Sequence, residues 1–320
     1  MLWGVLLLVT GIITALLIFP NLNLRGKWLA VAQAAYREST RQPLFWLLLA
    51  LTSFFMLISV YLPYFTFGEE LKMMKGLSLS AILLATLILT VFSAGVSISE
   101  EIEGRTAVTV LSKPMSRRAF LLGKFFGIFM SALLLAVLLS LVMAMAVYYR
   151  NEIDAEETKP QLAEIQQLER YLGFLPNAFL AAGRYLLYLS HDLSLIAPSI
   201  VCNLFQVMIL TGLAVALATR LPVVVNLVIC LTVFIVGRLA HIVVYQSSPE
   251  RGGNPLVHVM AQIFATILPG FNYFDMTDAT IGGLEVPWGD YVFHVGVHAV
   301  VYTAIALLFG LILFEDRDVA

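Results

Sequence analysis

Apolar residues fill long stretches of this chain, and short polar segments separate them. The apolar stretches are 2–19, 44–64, 77–98, 120–148, 196–218, 222–246 and 291–314. A helix of about 20 apolar residues crosses the roughly 30 Å of hydrocarbon in a bilayer. Strands of a membrane barrel are half that length and alternate in polarity. The pattern therefore predicts an all-α, polytopic membrane protein.

Composition agrees with a membrane protein. The chain has 320 residues, of which 60% are hydrophobic and 12% are charged, and its mean hydropathy is +0.90. Soluble proteins carry about 25% charged residues. A net charge of −2 gives no reason to expect a nucleic acid partner. Cys202 and Cys230 both lie within apolar stretches, which favours small buried side chains over a disulfide or a metal pair.

The distribution of lysine and arginine predicts the orientation. Basic residues concentrate in 20–43 and 99–124, whereas the long segment 247–290 contains only Arg251. Basic loops stay in the cytoplasm, so the first two segments and the C-terminus are expected inside, and 247–290 outside. The N-terminus and the long segment 150–195 are also expected outside. Within 150–195, residues 179–190 are too short to span and are predicted to form an interfacial or re-entrant helix.

A helix on the cytoplasmic surface is predicted over residues 27–42. Trp28 and Ala32 share one helical face, and Gln33 and Arg37 lie on the other. Such an amphipathic pattern is typical of a helix in the plane of the membrane interface. The proline that follows ends the helix before the next apolar stretch begins.

The segment "SEEIEGRTAVTVLSKPMSRRAFLLGK", 99–124, places many charges between two apolar stretches. It begins as the continuation of a membrane helix. Gly104 and Pro114 interrupt the helical course, and they leave a short segment, 106–113, that can lie across the membrane normal. Both ends are anchored in spans. A force on this segment would therefore move two membrane helices together.

These residues resemble the coupling element of ABC-2-type permeases, the membrane subunits of ABC transporters that are mostly exporters. The resemblance rests on the acidic residues, the Gly-x-Thr, "LSKP" and "SRRAFLLGK" in that order. It implies a coupling element at 99–118 that docks in a groove of a cytoplasmic ATPase. The residues that would shape this element are Glu100, Glu101, Glu103, Gly104, Thr106, Pro114 and Lys124.

The resemblance extends over roughly 27–318. "ILPGFNYFDMTD", 267–278, is similar to the outer segment before the last span of the family, and "LFEDRD" is similar to its C-terminal close. The family core has six spans, so the stretch 2–19 is an additional one. The chain is accordingly divided into an extra N-terminal transmembrane helix with its linker, 1–26, and a permease domain, 27–320.

An ATPase partner is implied as a separate chain. A phosphate-binding Gly-x-x-x-x-Gly-Lys-[Ser/Thr] sequence is absent, since "GRTAVTVLSK" and "LLGKFFG" both fail its spacing. ATP would bind on the partner, and this chain needs no cofactor of its own. Permeases of this family work in pairs, so a second copy or a homologous permease is a further expected partner, besides membrane lipid.

An enzymatic function is not expected. "EEIEGR" fits the Glu-Glu-x-x-x-Arg motif of intramembrane CAAX-processing proteases, but the Phe-x-x-x-His and His-x-x-x-Asn motifs those proteases need are missing. His294 and His298 stand one helical turn apart, with Asp290 one turn earlier, a spacing that can hold a metal. The ordinary outcome for such a pair is a packed or solvated one, and no metal site is predicted.

Arg238 and Gln206 are the candidates for a translocation path. Arg238 lies within the apolar stretch 222–246, where a charge faces a cavity, a partner or the outer headgroups. We expect its side chain to face protein, within reach of Gln206 or a backbone carbonyl. Intramembrane amides such as Gln206 equally serve interhelical hydrogen bonds.

The sequence thus predicts a multi-pass permease subunit in a cytoplasmic membrane of bacterial type. It would couple ATP hydrolysis on a separate ATPase to export of a substrate that the sequence does not identify. The alternative is a scaffold or signal-relay subunit that uses the same ATPase coupling without transport. A transporter needs polar groups that converge on a path, whereas a relay does not.

Overall fold

The computed structural model describes residues 11–16, 19–21, 26–62, 70–103, 116–153, 177–248, 254–282 and 288–315. These residues are almost wholly helical and contain no strand. The helices are α1 Lys27–Arg41, α2 Pro43–Ser59, α3 Glu70–Glu103, α4 Arg117–Ile153, α5 Asn177–Ala218, α6 Val223–Gln246, α7 Pro255–Ile267, α8 Thr277–Ile281 and α9 Phe293–Glu315. Single 3₁₀ turns form at Phe19–Asn21 and Phe271–Phe274, and a π-helical turn at Trp288–Val292.

Five of the seven predicted spans are present as long apolar helices in the described part of the chain. Within the described ranges, α3, α4, α5, α6 and α9 each contain a segment long and apolar enough to cross a bilayer. A sixth span arises if α1 and α2, which meet at a 55° bend, are counted together. The all-α, polytopic prediction therefore holds. The additional span predicted at 2–19 lies largely outside the described residues.

The helix predicted at 27–42 is present as α1. It ends at Arg41, and Gln42 turns extended before Pro43 begins α2. Proline disfavours a helical conformation in the residue before it, which explains the break. The apolar face of α1 packs against α4, where Ala32 and Tyr36 are buried. This face is therefore covered by protein rather than left to lipid.

Helices α3, α4 and α5 form the centre of the bundle. Leu87, Leu135 and Leu210 on these helices are fully buried. The most apolar window of α3 is 72% buried, whereas those of α6 and α9 are 22% and 28% buried. The outer faces of α6 and α9 are thus open to lipid or to another protein.

Arginine side chains mark one end of the bundle. Arg117 donates from Nη1 to the carbonyl of Phe314 at 2.7 Å, and Arg220 donates from Nε to the carbonyl of Leu313 at 2.8 Å. Both neutralise carbonyl groups in the last turn of α9. We call this end, defined by Arg117, Arg220 and Phe314, the basic end.

The opposite end also has an arginine at its centre. Arg150, near the end of α4, pairs with Glu70 at the start of α3. Its Nη1 also donates to the carbonyl of Val60 at 2.5 Å. We call this end, defined by Val60, Glu70 and Arg150, the distal end. The helices therefore alternate in direction between the two ends, as a multi-pass chain requires.

The prediction of a separate interfacial or re-entrant helix at 179–190 was wrong. The backbone is helical without a break from Asn177 to Ala218, so these residues extend the following span. Pro198 lies inside this helix and does not end it. The sequence prediction failed because hydropathy reports whether a segment favours membrane or water. It does not report whether the helical backbone continues into the next segment.

The segment between α6 and α9 turns back along α6. His258 on α7 has Nδ1 3.2 Å from the carbonyl oxygen of Val244. Further along, Gly237 in α6 meets Phe271, whose ring a β-carbon on Gly237 would approach to 2.6 Å. Residues 255–274 therefore lie beside α6 as far as its middle, and the segment 247–290 does not stay beyond the ends of the spans.

Candidate functional site

A partly buried ion pair lies about two helical turns from the ends of α3 and α4 that flank residues 104–115. Lys124, on the second turn of α4, is 2% exposed. Its Nζ lies 3.2 Å from Oε2 of Glu38 on α1. It also donates to Ser97 Oγ of α3 at 2.6 Å, and that hydroxyl lies 2.6 Å from the same Glu38 carboxylate oxygen. Three helices are thus joined by one lysine, one serine and one glutamate, which we call the root junction.

Hydroxyl groups continue this polar contact between the same helices. Ser39 of α1 lies 3.0 Å from Ser93 of α3 and 2.7 Å from Ser131 of α4, measured between Oγ atoms. Ser93 in turn donates to Oε1 of Gln42 at 3.0 Å. Most buried hydroxyls in proteins have a hydrogen-bond partner, and the hydroxyls here partner one another. The cluster therefore fixes the register of α1 on α3 and α4.

Two glycines bring the backbones of α1 and α4 into direct contact. A β-carbon on Gly127 would lie 2.3 Å from the carbonyl oxygen of Ala32, and one on Gly123 would lie 2.7 Å from that of Trp28. These are separations that real side chains do not adopt. The glycines are four residues apart, the small-xxx-small spacing that allows close helix packing in membranes. Helix α1 is thus held against α4 along its length.

The structure describes only part of the predicted coupling element. Gly104, Thr106 and Pro114 lie outside the described residues. Residues 100–103, with Glu100, Glu101 and Glu103, form the last turn of α3, and their side chains are not described. Lys124 is the one predicted coupling residue whose contacts are visible. It lies in the root junction and not on the surface.

Sequence reasoning missed the partners of Lys124. Glu38 was not singled out, although it is the one acidic residue in α1. Ser97 gave no signal, because serine is common in membrane helices. The Gly123–Gly127 spacing is a usable sequence signal for the α1–α4 contact, although the same residues also resemble an incomplete phosphate-binding motif.

Arg238 faces protein, as predicted, but the expected partner was wrong. Its guanidinium pairs with the carboxylate of Asp275, directly after the 3₁₀ turn at Phe271–Phe274. The two side chains are 34% and 31% exposed. An opposite charge offsets the cost of placing an arginine at membrane depth. Arg238 therefore anchors the segment that turns back along α6.

Gln206 belongs to a separate contact between α5 and α3. It is fully buried, and its Nε2 donates to Oδ1 of Asn203 at 3.3 Å. Asn203 donates from Nδ2 to the carbonyl of Leu79 at 3.3 Å. Oε1 of Gln206 has no hydrogen-bond partner among the described residues. The structure does not bring Gln206 together with Arg238, so the two candidate path residues do not form one site.

The histidine pair on α9 packs against aromatic rings. His298 lies 6.2 Å from Phe274 and 4.8 Å from Tyr302, measured between ring centroids. His294 contacts the carbonyl of Asp290 through Nδ1. Across the described ranges, histidine, cysteine and acidic side chains form no group of three or more that could hold a metal.

The root junction joins three helices through hydrogen bonds and one ion pair. A lysine held by a carboxylate and a hydroxyl is neither a free base nor a nucleophile. What the junction does is tie the two helices that flank 104–115 to α1. Neither a scan against models of known protein families nor a search of curated proteins found a match for this chain.

Proposed function

We propose that this chain is the membrane-spanning permease subunit of an ABC transporter of the ABC-2 type. A separate cytoplasmic ATPase would bind the element at 99–118, and a second permease chain would complete the complex in a cytoplasmic membrane. ATP binding would move that element, and the spans would follow to export a substrate. Support comes from the order of residues in 99–124 and from the geometry at the root of that element.

The root junction is the observation that carries this proposal. Segment 104–115 connects α3 and α4, and both helices are tied to α1 by Glu38, Ser97 and Lys124 at that point. A displacement of the segment is therefore passed to three helices at once. Without such a connection, the movement of a loop between two spans would dissipate in the motion of the loop itself.

The length of α3 and α4 carries a displacement across the membrane. These helices have 34 and 37 residues, which correspond to about 50 Å and 55 Å at 1.5 Å per residue. At the distal end, Glu70 of α3 pairs with Arg150 of α4. There Gly76 of α3 also meets Ile281 of α8, since a β-carbon on Gly76 would lie 2.8 Å from it. The two long helices thus connect the basic end to the contacts at the distal end.

Charge reversal in the coupling element tests the proposal. Glu103→Lys is expected to reduce both the ATPase that co-purifies with the tagged chain and the substrate-stimulated ATP hydrolysis. Abundance in the membrane should stay near normal, because the change lies at the end of α3. Asp278→Lys is the matched control, a charge reversal at an exposed aspartate on α8 near the distal end. It should leave association and hydrolysis unchanged.

Two results would contradict this function. Unchanged co-purification and unchanged hydrolysis in Glu103→Lys would exclude a docking role for the element. ATPase association that depends on Glu103, but with no substrate moved by the purified complex in vesicles, would favour the scaffold or relay subunit instead.

A further inference from the structure

A cavity of about 630 Å³ opens at the start of α9, near the distal end. One wall is the 3₁₀ turn that contributes Tyr273 and Phe274, and the other is the first turns of α9 with His294 and His298. Tyr291 ties the walls together, since its hydroxyl donates to the carbonyl of Tyr273 at 2.7 Å. The volume falls within the roughly 300–1,000 Å³ of small-molecule sites. We call it the distal cavity.

The polar groups that line the distal cavity favour a positively charged ligand that carries hydrogen-bond donors. Asp290 is the one lining residue with a formal charge when the imidazoles are neutral. Its carboxylate makes no hydrogen bond or ion pair within the part of the chain that the structure describes. His294 contacts the Asp290 carbonyl through Nδ1, and a carbonyl can only accept, so this nitrogen carries the proton. The Nε2 of a neutral His294 is then an acceptor.

The remaining lining favours an apolar body beside that charge. Three aromatic rings and an aliphatic side chain make up most of the wall. Aromatic faces attract cations, and the apolar lining of a pocket holds hydrocarbon. The wall carries hydrogen-bond acceptors on one part and aromatic rings on the rest. This arrangement suits an ammonium group that still bears N–H donors and is attached to an apolar chain or ring.

We propose that the distal cavity binds a protonated primary amine carried on an apolar body. Two sources share this chemistry, the aminoethyl headgroup of a lipid and a free amphipathic amine. A test of this binding does not require the ATPase proposed above, because the cavity is formed within one chain at the end away from 104–115.

Calorimetry on the purified full chain in nanodiscs of phosphatidylcholine tests the site. The probes are octylammonium, octyltrimethylammonium, octanol and octanoate, with the heat of empty nanodiscs subtracted. Octylammonium should bind about tenfold or more tightly than octanol, as one charge-assisted hydrogen bond implies. Octyltrimethylammonium should fall between them, and octanoate should not bind. Equal affinity for all four probes would mean partition into a greasy surface and would overturn the proposal.

Substitutions locate the binding. Asp290→Asn keeps the shape of the side chain and should weaken octylammonium about tenfold or more. Tyr273→Leu, at a ring that is 62% exposed, should weaken octylammonium and octyltrimethylammonium alike. Asp278→Asn, an exposed carboxylate of α8 that does not line the cavity, should change nothing. The thermal midpoint of each variant without probe reports its fold. A folded Asp290→Asn that binds like the parent, or an Asp278→Asn that binds as weakly, would refute the site.

A change of lipid distinguishes the two sources. If a lipid headgroup occupies the cavity, nanodiscs made with phosphatidylethanolamine should weaken octylammonium by competition, in the parent and not in Asp290→Asn. If the ligand is a free amine, the affinity should be the same in both lipids. Either result is consistent with amine binding in the cavity, and it identifies the source as a lipid headgroup or a free amine.

Discussion

Lys124 and Glu38 differ in how much of each side chain reaches solvent, and this difference decides what each contributes. The lysine side chain is 3% exposed and the glutamate 36%. A buried charge that loses its partner is left without solvation, whereas a partly exposed one is rescued by water. The pair is therefore unequal, and Lys124 depends on Glu38 more than the reverse.

Glu38→Ala is expected to destabilise the protein by about 2–3 kcal/mol, because it removes the Glu38 carboxylate that pairs with the buried charge of Lys124. Lys124→Met, which removes the buried charge at similar volume, should change the free energy of unfolding by about 1 kcal/mol or less. The double variant should recover most of the loss. Unfolding of the purified chain in mixed micelles with increasing denaturant measures this. A Lys124→Met that is the more damaging single variant would contradict the asymmetry.

At the residue scale, the sequence identified isolated charges but not their partners. Lys124 stood out by its resemblance to a coupling motif and Arg238 by its depth in an apolar stretch. Glu38 and Asp275, their partners, lie 86 and 37 positions away. Pairing over such distances depends on which helix faces pack together, and neither composition nor spacing reports that. The only sequence signal for the distal cavity is the spacing of Asp290, His294 and His298.

At the scale of helices, the contact between α1 and α4 is the most extensive pair among the described elements. It brings the carbonyls of one helix onto glycines of the other. Polar carbonyls over Cα–H groups at short range stabilise such contacts further. Because the obstacle to a side chain here is backbone, it cannot be relieved by a rotamer change.

Gly127→Ala should therefore separate α1 from α4. We expect a loss of stability of about 1–3 kcal/mol, the range for an inserted methyl group in a packed core. Gly11→Ala is the control, since a β-carbon on Gly11 meets nothing within 4 Å. It should be neutral or gain up to about 1 kcal/mol from helix propensity. Thermal unfolding of both variants, beside the parent, compares them. Equal midpoints for Gly127→Ala and the parent would show that the helices can part without loss.

The elements that could be predicted are the membrane spans, because the length of an apolar stretch is enough to identify one. An apolar stretch of about 20 residues has one stable arrangement in a bilayer, so the spans from 77 onward were found. Helix α7 has 13 residues, which is too short for that rule. Its placement beside α6 depends on Gly237 leaving room for Phe271 and on the Arg238–Asp275 pair. Those are tertiary contacts, which a hydropathy pattern does not predict.

For the whole molecule, the arrangement of the ends leads to a topology that can be measured. Arg117, Arg220 and the end of α9 lie together at the basic end. The basic residues of 99–124 predict that this end faces the cytoplasm. The distal end, with Arg150 and Glu70, then faces outside.

Cysteine labelling checks this orientation. In a chain with Cys202 and Cys230 replaced, Ser112→Cys should react with an impermeant maleimide only after the cells are permeabilised. Asn254→Cys, at an exposed position before α7, should react in intact cells. Replacement of the two native cysteines by alanine removes a single sulfur atom from each side chain, so assembly should stay intact. Labelling of position 112 in intact cells would reverse the map.

The root junction also constrains how the chain is made. Glu38 leaves the ribosome 86 residues before Lys124, a delay of roughly 4–17 s at 5–20 residues per second. Until then its carboxylate needs water, and placing it in hydrocarbon alone would cost about 2.5–3.5 kcal/mol. Helix α1 must therefore wait at the membrane surface while α2 and α3 insert. It docks when α4 arrives with its glycines and its lysine, so α1 is synthesised before α2, α3 and α4 but takes its final place after them.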